Sequence, residues 1–103
     1  MNLLRSLGGL ALVMVVAVGC SRTNDYVPEE MADGQAIFEM ACAGCHEPIS
    51  EGIVYEMSSE KATLEKVKLT IREGDFPMPG FPNIKGEQLD QLGQYVLSVN
   101  RSQ

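Results

Sequence analysis

The residues best suited to chemistry are five in a row, Cys42-Ala43-Gly44-Cys45-His46. Two cysteines separated by two residues and followed directly by a histidine form the pattern of covalent haem c attachment. Thiols at this spacing can both reach the vinyl groups of one porphyrin, and the histidine that follows then points at the iron. The motif predicts one haem c, with thioether links to Cys42 and Cys45 and with His46 as an axial ligand.

Three other interpretations of the cysteine pair remain open: half of a zinc site, a thioredoxin-like redox pair and a chance disulfide. A zinc site needs about four ligands. After Cys42, Cys45 and His46, the remaining cysteine is the distant Cys20, so a carboxylate would have to complete the site. A thioredoxin-like redox pair needs a strand-helix-strand setting, and no later segment has the pattern of a parallel sheet. The pattern therefore favours haem.

The start of the chain has the pattern of an export signal. An uncharged apolar run over residues 7–18 is too short for a comfortable membrane span but suits a signal-peptide core. Residues 17–20 resemble a bacterial lipoprotein processing box. We expect residues 1–19 to be removed and Cys20 to carry a lipid that anchors the protein at the periplasmic side of the inner or outer membrane. Ordinary secretion with an unmodified Cys20 is the alternative.

The mature chain would be short and acidic. Residues 20–29 lack apolar periodicity and predict a flexible tether, which leaves residues 30–103 as one domain. Loss of Arg5 from the 8 basic residues leaves 7 against 14 acidic ones, a formal charge of −7. Such a surface disfavours nucleic acid and favours a basic partner, although it also serves solubility. A domain of this size often depends on a cofactor for stability.

The first of three predicted helices leads into the cysteine motif. It covers residues 29–42, with Pro28 suited to a first helical position and with Ile37 and Phe38 on the apolar face. Gly34 lies inside this segment, where a glycine lowers helix propensity. We therefore expect another backbone to approach Gly34 closely.

Two further amphipathic segments follow. The second predicted helix has its N-cap at Ser58 or Ser59 and ends at Gly74. The third covers residues 86–99 and contains Gly93, a second candidate for a close helix crossing.

These helices predict one contact and one charged surface. Phe38 is expected to pack near Leu92 and Tyr95 of the third helix. Much of the positive charge gathers on or beside the second helix, either as a docking patch or as an ordinary solvated face; the residues are Lys61, Lys66, Lys68 and Arg72.

A proline-rich segment, residues 75–82, contains the second predicted iron ligand. Its prolines exclude a helix or a central strand and stiffen the backbone. Thioether sulfur is a weak ligand, but Met78 is held between Pro77 and Pro79 and loses little entropy on reaching iron. Met57 is the main competitor, without such a frame.

The segment between the motif and the second helix, residues 47–57, predicts an irregular loop. A buried histidine ligand usually donates its second N–H to a carbonyl or carboxylate. We expect a backbone carbonyl of this loop, with Pro48 as the leading candidate, to accept that hydrogen bond from His46.

Residues 31–99 resemble the class I c-type cytochromes. The matching features, in the order of that family, are Gly34-x-x-x-Phe38 before the cysteine motif, Ile71-x-x-Gly74 followed by Met78-Pro79, and Leu92-x-x-Tyr95. The resemblance implies an all-α cytochrome c fold with three main helices around one covalent haem c. It also implies that Cys42 and Cys45 form the thioethers, that His46 and Met78 ligate the iron, and that the protein transfers electrons. The short interval from His46 to Met78 implies a trimmed loop and an exposed haem edge.

With both axial positions filled, no place is left for a substrate on iron, and His/Met ligation raises the reduction potential. We therefore expect an electron carrier rather than an enzyme, tethered to the membrane and exchanging single electrons between respiratory partners. The donor would be a dehydrogenase or cytochrome complex and the acceptor an oxidase or reductase. Three alternatives stay open: a haem-based gas or redox sensor with Met78 displaced, a thiol-disulfide enzyme, and a cytochrome subunit docked permanently to a dehydrogenase or oxidase.

Overall fold

The computed structural model describes residues 23–102, and within them the chain forms three α-helices and no strand. They are α1 (Gly34–Ala41), α2 (Leu64–Glu73) and α3 (Gly86–Ser98), and α3 packs against both of the others. The predicted all-α class is confirmed. None of the three described helices combines the length and apolarity that crossing a bilayer requires. The predicted signal peptide and Cys20 lie outside the described residues.

Helix α1 begins later than predicted. Asp33 is its N-cap, with an extended backbone and a carboxylate oxygen that accepts the Ala36 N–H at 2.9 Å. Aspartate at this position satisfies a backbone donor that the helix itself leaves unpaired. The helix therefore starts at Gly34, and the predictions of a start near residue 29 and of Pro28 as a first helical residue are wrong.

Helix α2 also starts later than predicted but ends where the sequence indicates. Its N-cap is Thr63 rather than Ser58 or Ser59, and the Thr63 hydroxyl accepts the backbone N–H three residues further on at 3.3 Å. The carbonyl of Ser58 instead closes a short turn ahead of the helix. Gly74 follows the last helical residue with a φ of 84°, a left-handed conformation that favours glycine. Helix α3 has the predicted extent to within one residue.

Two buried glycines let the helices cross closely, as predicted. A Cβ built on Gly34 would overlap the backbone carbonyl of Gln91, so α1 and α3 meet backbone to backbone. A Cβ on Gly93 would lie 2.8 Å from Cδ1 of Leu64, on the α2 side of α3. The two contacts place α3 between the other helices.

The core lies between α3 and its two neighbours. Ile37, Ile84 and Leu92 are completely buried, and Phe38 belongs to the same apolar cluster. The rings of Phe38 and Tyr95 lie 5.3 Å apart between centroids, which confirms the contact predicted between the first and last helices. This packing fixes helix α1, so that its last turn and the two cysteines that follow it lie at the edge of the core.

The segment before α1 is bound to the domain from the first described residues onward. The backbone N–H of Asn24 donates to the carbonyl of Gly80 at 2.7 Å, and the side-chain amide of Asn83 donates to the carbonyl of Asp25 at 3.2 Å. The predicted flexible tether over residues 20–29 therefore does not describe residues 23–25. Residues 23–25 are instead hydrogen-bonded to the end of the proline-rich segment and to Asn83, which follows it.

Candidate functional site

The cysteine motif forms a tight turn directly after α1. Cys42 is the C-cap of the helix, and its N–H donates to the carbonyl of Phe38 at 2.8 Å. The carbonyl of Cys42 then accepts the N–H groups of Cys45 at 3.1 Å and His46 at 2.9 Å. This turn brings two thiols and an imidazole, which are close in sequence, to one wall of a cleft.

The proline-rich segment forms the opposite wall. Asp75 and Met78 exchange two backbone hydrogen bonds, of 3.0 and 2.9 Å, so Met78 ends a tight turn. The N–H of Phe81 donates to the carbonyl of Ile71 at 2.8 Å, which attaches the segment to the last turn of α2. Both interactions are formed by the backbone, and they hold the half-buried Met78 side chain at the cleft.

The cleft contains two cavities that share His46 and Met78 as lining residues. The first, of about 500 Å³, is lined by Cys42, Cys45, His46 and Met78, and by apolar groups such as Phe81. The second, of about 380 Å³, is also lined by His46 and Met78 but by neither cysteine. All four residues predicted to hold the cofactor thus line the first cavity, and the predicted axial pair, His46 and Met78, lines the second cavity as well.

Met57, the competing methionine, lines only the second cavity. Its backbone N–H donates to the side-chain oxygen of Asn100 at 2.7 Å, which ties it to the chain beyond α3. Met78 borders both cavities and Met57 borders one. The geometry therefore favours Met78 as the partner of His46.

Burial shifts the pKa values of three side chains in the cleft. It lowers the pKa of His46, which favours the neutral imidazole that coordinates metals. It raises the pKa of the Cys42 thiol to about 11, with a smaller contribution from Cys45. Burial also raises the pKa of Tyr55, whose ring centroid lies 4.8 Å from that of His46. Tyr55 was not identified from the sequence, because no motif or spacing links it to the histidine.

Pro48 lies near His46, and the two residues line a third cavity of about 330 Å³. The hydrogen bond from the imidazole to the Pro48 carbonyl stays a prediction.

The residues of the cleft fit a covalently bound haem. Cys42 and Cys45 are free thiols rather than a disulfide. The cavities have the volume and apolar lining typical of cofactor pockets, which occupy about 300–1,000 Å³. Among residues 23–102, no group of three or more histidine, cysteine, aspartate and glutamate side chains could hold a metal ion, and such a group is what the zinc alternative requires.

Three helices around an apolar cleft, with a Cys-x-x-Cys-His turn on one wall and a methionine on the other, define a c-type cytochrome. The sequence model of a family described as cytochrome c oxidase, cbb3-type, subunit III matches residues 29–96, which is most of the chain. The chain belongs to this family, one of the class I c-type cytochromes, as the sequence resemblance implied. Its cofactor is covalently bound haem c, and the family carries electrons through that haem. Comparisons with curated proteins and with solved structures gave no match.

Proposed function

We propose that the protein is a membrane-tethered, one-electron carrier in which Cys42 and Cys45 bind haem c and His46 and Met78 ligate its iron. The observation that carries this assignment is that His46 and Met78 are the two residues that line both cavities. The two side chains come from separate segments of the chain, so both would be available to a haem iron bound in the cleft.

The chain's own residues would perform three tasks. When bound, haem c supplies a one-electron redox couple. His46 contributes a neutral imidazole, and Met78 contributes a thioether, which raises the reduction potential relative to a nitrogen ligand. The short turn that ends at Met78 restrains the sulfur in both oxidation states. With His46 and Met78 both on the iron, no position would be left for a substrate, so the protein would exchange electrons without forming or breaking bonds to a substrate.

The proposed partners are redox proteins. One electron would enter from a donor dehydrogenase or cytochrome complex, and one would leave to an acceptor oxidase or reductase.

Lipidation at Cys20, supported by the lipoprotein-like pattern of residues 17–20, would hold the carrier at the periplasmic side of a membrane. A Cys20→Ala variant should then move from the membrane fraction to the soluble fraction. Retention of the variant on the membrane would contradict the lipid anchor.

The family description supports a second candidate, a cytochrome subunit bound permanently to an oxidase. The two candidates differ in how the protein behaves after mild solubilisation of the membrane. A permanent subunit remains with the oxidase through a salt wash, whereas a free carrier elutes alone.

Replacement of each candidate methionine by alanine tests the assignment of the second iron ligand. Oxidised wild-type protein should show the sulfur-to-iron charge-transfer band of a thioether ligand. Met78→Ala should abolish this band, and the matched variant Met57→Ala should keep it. The assignment is wrong if the band survives in Met78→Ala.

Prompt carbon monoxide binding by reduced wild-type protein would instead favour the alternative of a haem-based gas or redox sensor.

A further inference from the structure

We propose that Lys61 and Lys66 bind the propionate carboxylates of the haem and raise its reduction potential. This inference rests on the proposed function, because it takes the haem to be bonded to Cys42 and Cys45. It assigns the two lysines to the cofactor rather than to a solvated face or a docking patch.

The first argument is the distribution of ion pairs. Residues 23–102 contain six lysine and arginine side chains, and three of them form ion pairs with carboxylates. Lys68 pairs with Asp90 at 2.6 Å and with Glu65 at 3.8 Å. Arg72 pairs with Glu73 at 3.8 Å, and Arg101 pairs with Glu56. Lys61, Lys66 and Lys85 form none within the described part of the chain. Two of these three unpaired lysines, Lys61 and Lys66, line the second cavity. The chain has 14 aspartates and glutamates, yet none of those in the described part of the chain pairs with Lys61 or Lys66.

The second argument is the chemistry of that cavity. Its described lining is largely apolar, with Val67, Ile71 and Val96 among the contributing residues, and it includes no aspartate or glutamate. An apolar space with two cationic side chains at its border is complementary to a ligand that is flat, apolar and anionic at one edge. Thr70, whose hydroxyl can donate a hydrogen bond, also lines this cavity.

The third argument is the orientation that the thioethers impose. The vinyl groups and the propionates of haem occupy opposite edges of the macrocycle. Cys42 and Cys45 line only the first cavity, so a haem bonded to them directs its carboxylates away from that end of the cleft. The second cavity shares His46 and Met78 with the first but neither cysteine, and Lys61 and Lys66 line it.

Removal of a nearby positive charge should make reduction less favourable, because oxidised iron carries the greater positive charge. Coulomb interactions across a partly solvated protein predict that Lys61→Gln and Lys66→Gln each lower the equilibrium constant for reduction by about two- to tenfold. A tenfold change corresponds to about 59 mV in a one-electron couple. Lys85→Gln is the matched control, because Lys85 is unpaired and exposed but lines neither cavity.

The measurement is the midpoint potential of purified holoprotein for each variant, at fixed ionic strength, with the sulfur-to-iron band as a check that Met78 remains bound. A second readout is acylation of the wild-type holoprotein by an amine reagent, in which Lys61 and Lys66 should react more slowly than Lys85. Potentials equal to that of Lys85→Gln, or equal acylation rates, would overturn the proposal. So would variants that change only the salt dependence of electron exchange with a partner, since that result assigns the lysines to docking. Absence of covalent haem in the wild-type protein would refute the proposed function instead.

Discussion

Gly74 and Gly80 pack backbone against backbone on the two sides of Met78. A Cβ on Gly74 would lie 2.6 Å from the backbone nitrogen of Gly80, and a Cβ on Gly80 would lie 2.6 Å from the carbonyl oxygen of Arg72. Neither position has room for a side chain, so both ends of the part of the chain that carries Met78, from Gly74 to Gly80, are held at the C-terminus of α2. The position of the Met78 thioether therefore depends on two glycines that line neither cavity of the cleft.

Substitution of Gly80 should displace Met78. In Gly80→Ala the added methyl group meets backbone rather than a flexible side chain, and overpacking of this kind costs about 1–3 kcal/mol. We expect the sulfur-to-iron band to weaken or disappear. Gly86→Ala is the control, since Gly86 has a positive φ of 63° but no atom within 4 Å of the added Cβ. It should lose some stability and keep the band; loss of the band in both variants would contradict the specific role of Gly80.

The two helix-crossing glycines should tolerate alanine to different degrees. At Gly34 the added methyl group meets the backbone of Gln91, which cannot move without shifting α3. At Gly93 it meets the end of the Leu64 side chain, which can change rotamer, and alanine gains about 1 kcal/mol in helix propensity over glycine. Guanidinium unfolding of the holoproteins should therefore show a clear loss for Gly34→Ala and a small change for Gly93→Ala. The opposite order would contradict this packing.

Truncation of a core leucine should greatly reduce the free energy of unfolding. Leu92 is 0% exposed in α3, and Leu92→Ala is expected to cost about 2–5 kcal/mol. Met40 of α1 is 74% exposed and lines neither cavity of the cleft, and a Met40→Ala substitution there should change stability by about 0.5 kcal/mol or less. Chemical denaturation of both holoprotein variants provides the comparison. Similar losses for the two would show that the helix faces are assigned wrongly.

The thioether assignment predicts a graded loss of covalent haem. Cys42→Ala or Cys45→Ala alone should leave one thioether and a haem that stays with the denatured chain. The double variant should release all haem on denaturation, whereas Cys20→Ala should retain it fully. Mass spectrometry of the denatured proteins measures each outcome, and covalent haem in the double variant would show that another residue forms the link.

Local sequence was enough to predict the attachment motif, the existence of three helices and the close approaches at Gly34 and Gly93. These features depend on the spacing of neighbouring residues and on apolar periodicity, which one segment contains by itself. The helix starts were wrong for the same local reason. Pro28, Ser58 and Ser59 are all compatible with helix starts, but the side chains of Asp33 and Thr63 are the ones that accept the free N–H groups.

The amino-acid sequence by itself determined the Cys-x-x-Cys-His turn, because Cys42, Cys45 and His46 are brought together by one turn of backbone. Only the tertiary structure showed which methionine borders both cavities and that Tyr55 lies against His46. It also showed that Lys68 is paired with Asp90 while Lys61 and Lys66 face the cleft. Lys68 and Asp90 pair across the contact of α2 with α3, and Tyr55 is held by the hydrogen bond from its N–H to the carbonyl of Val99 at 3.2 Å. Both relationships therefore need segments that are distant along the chain.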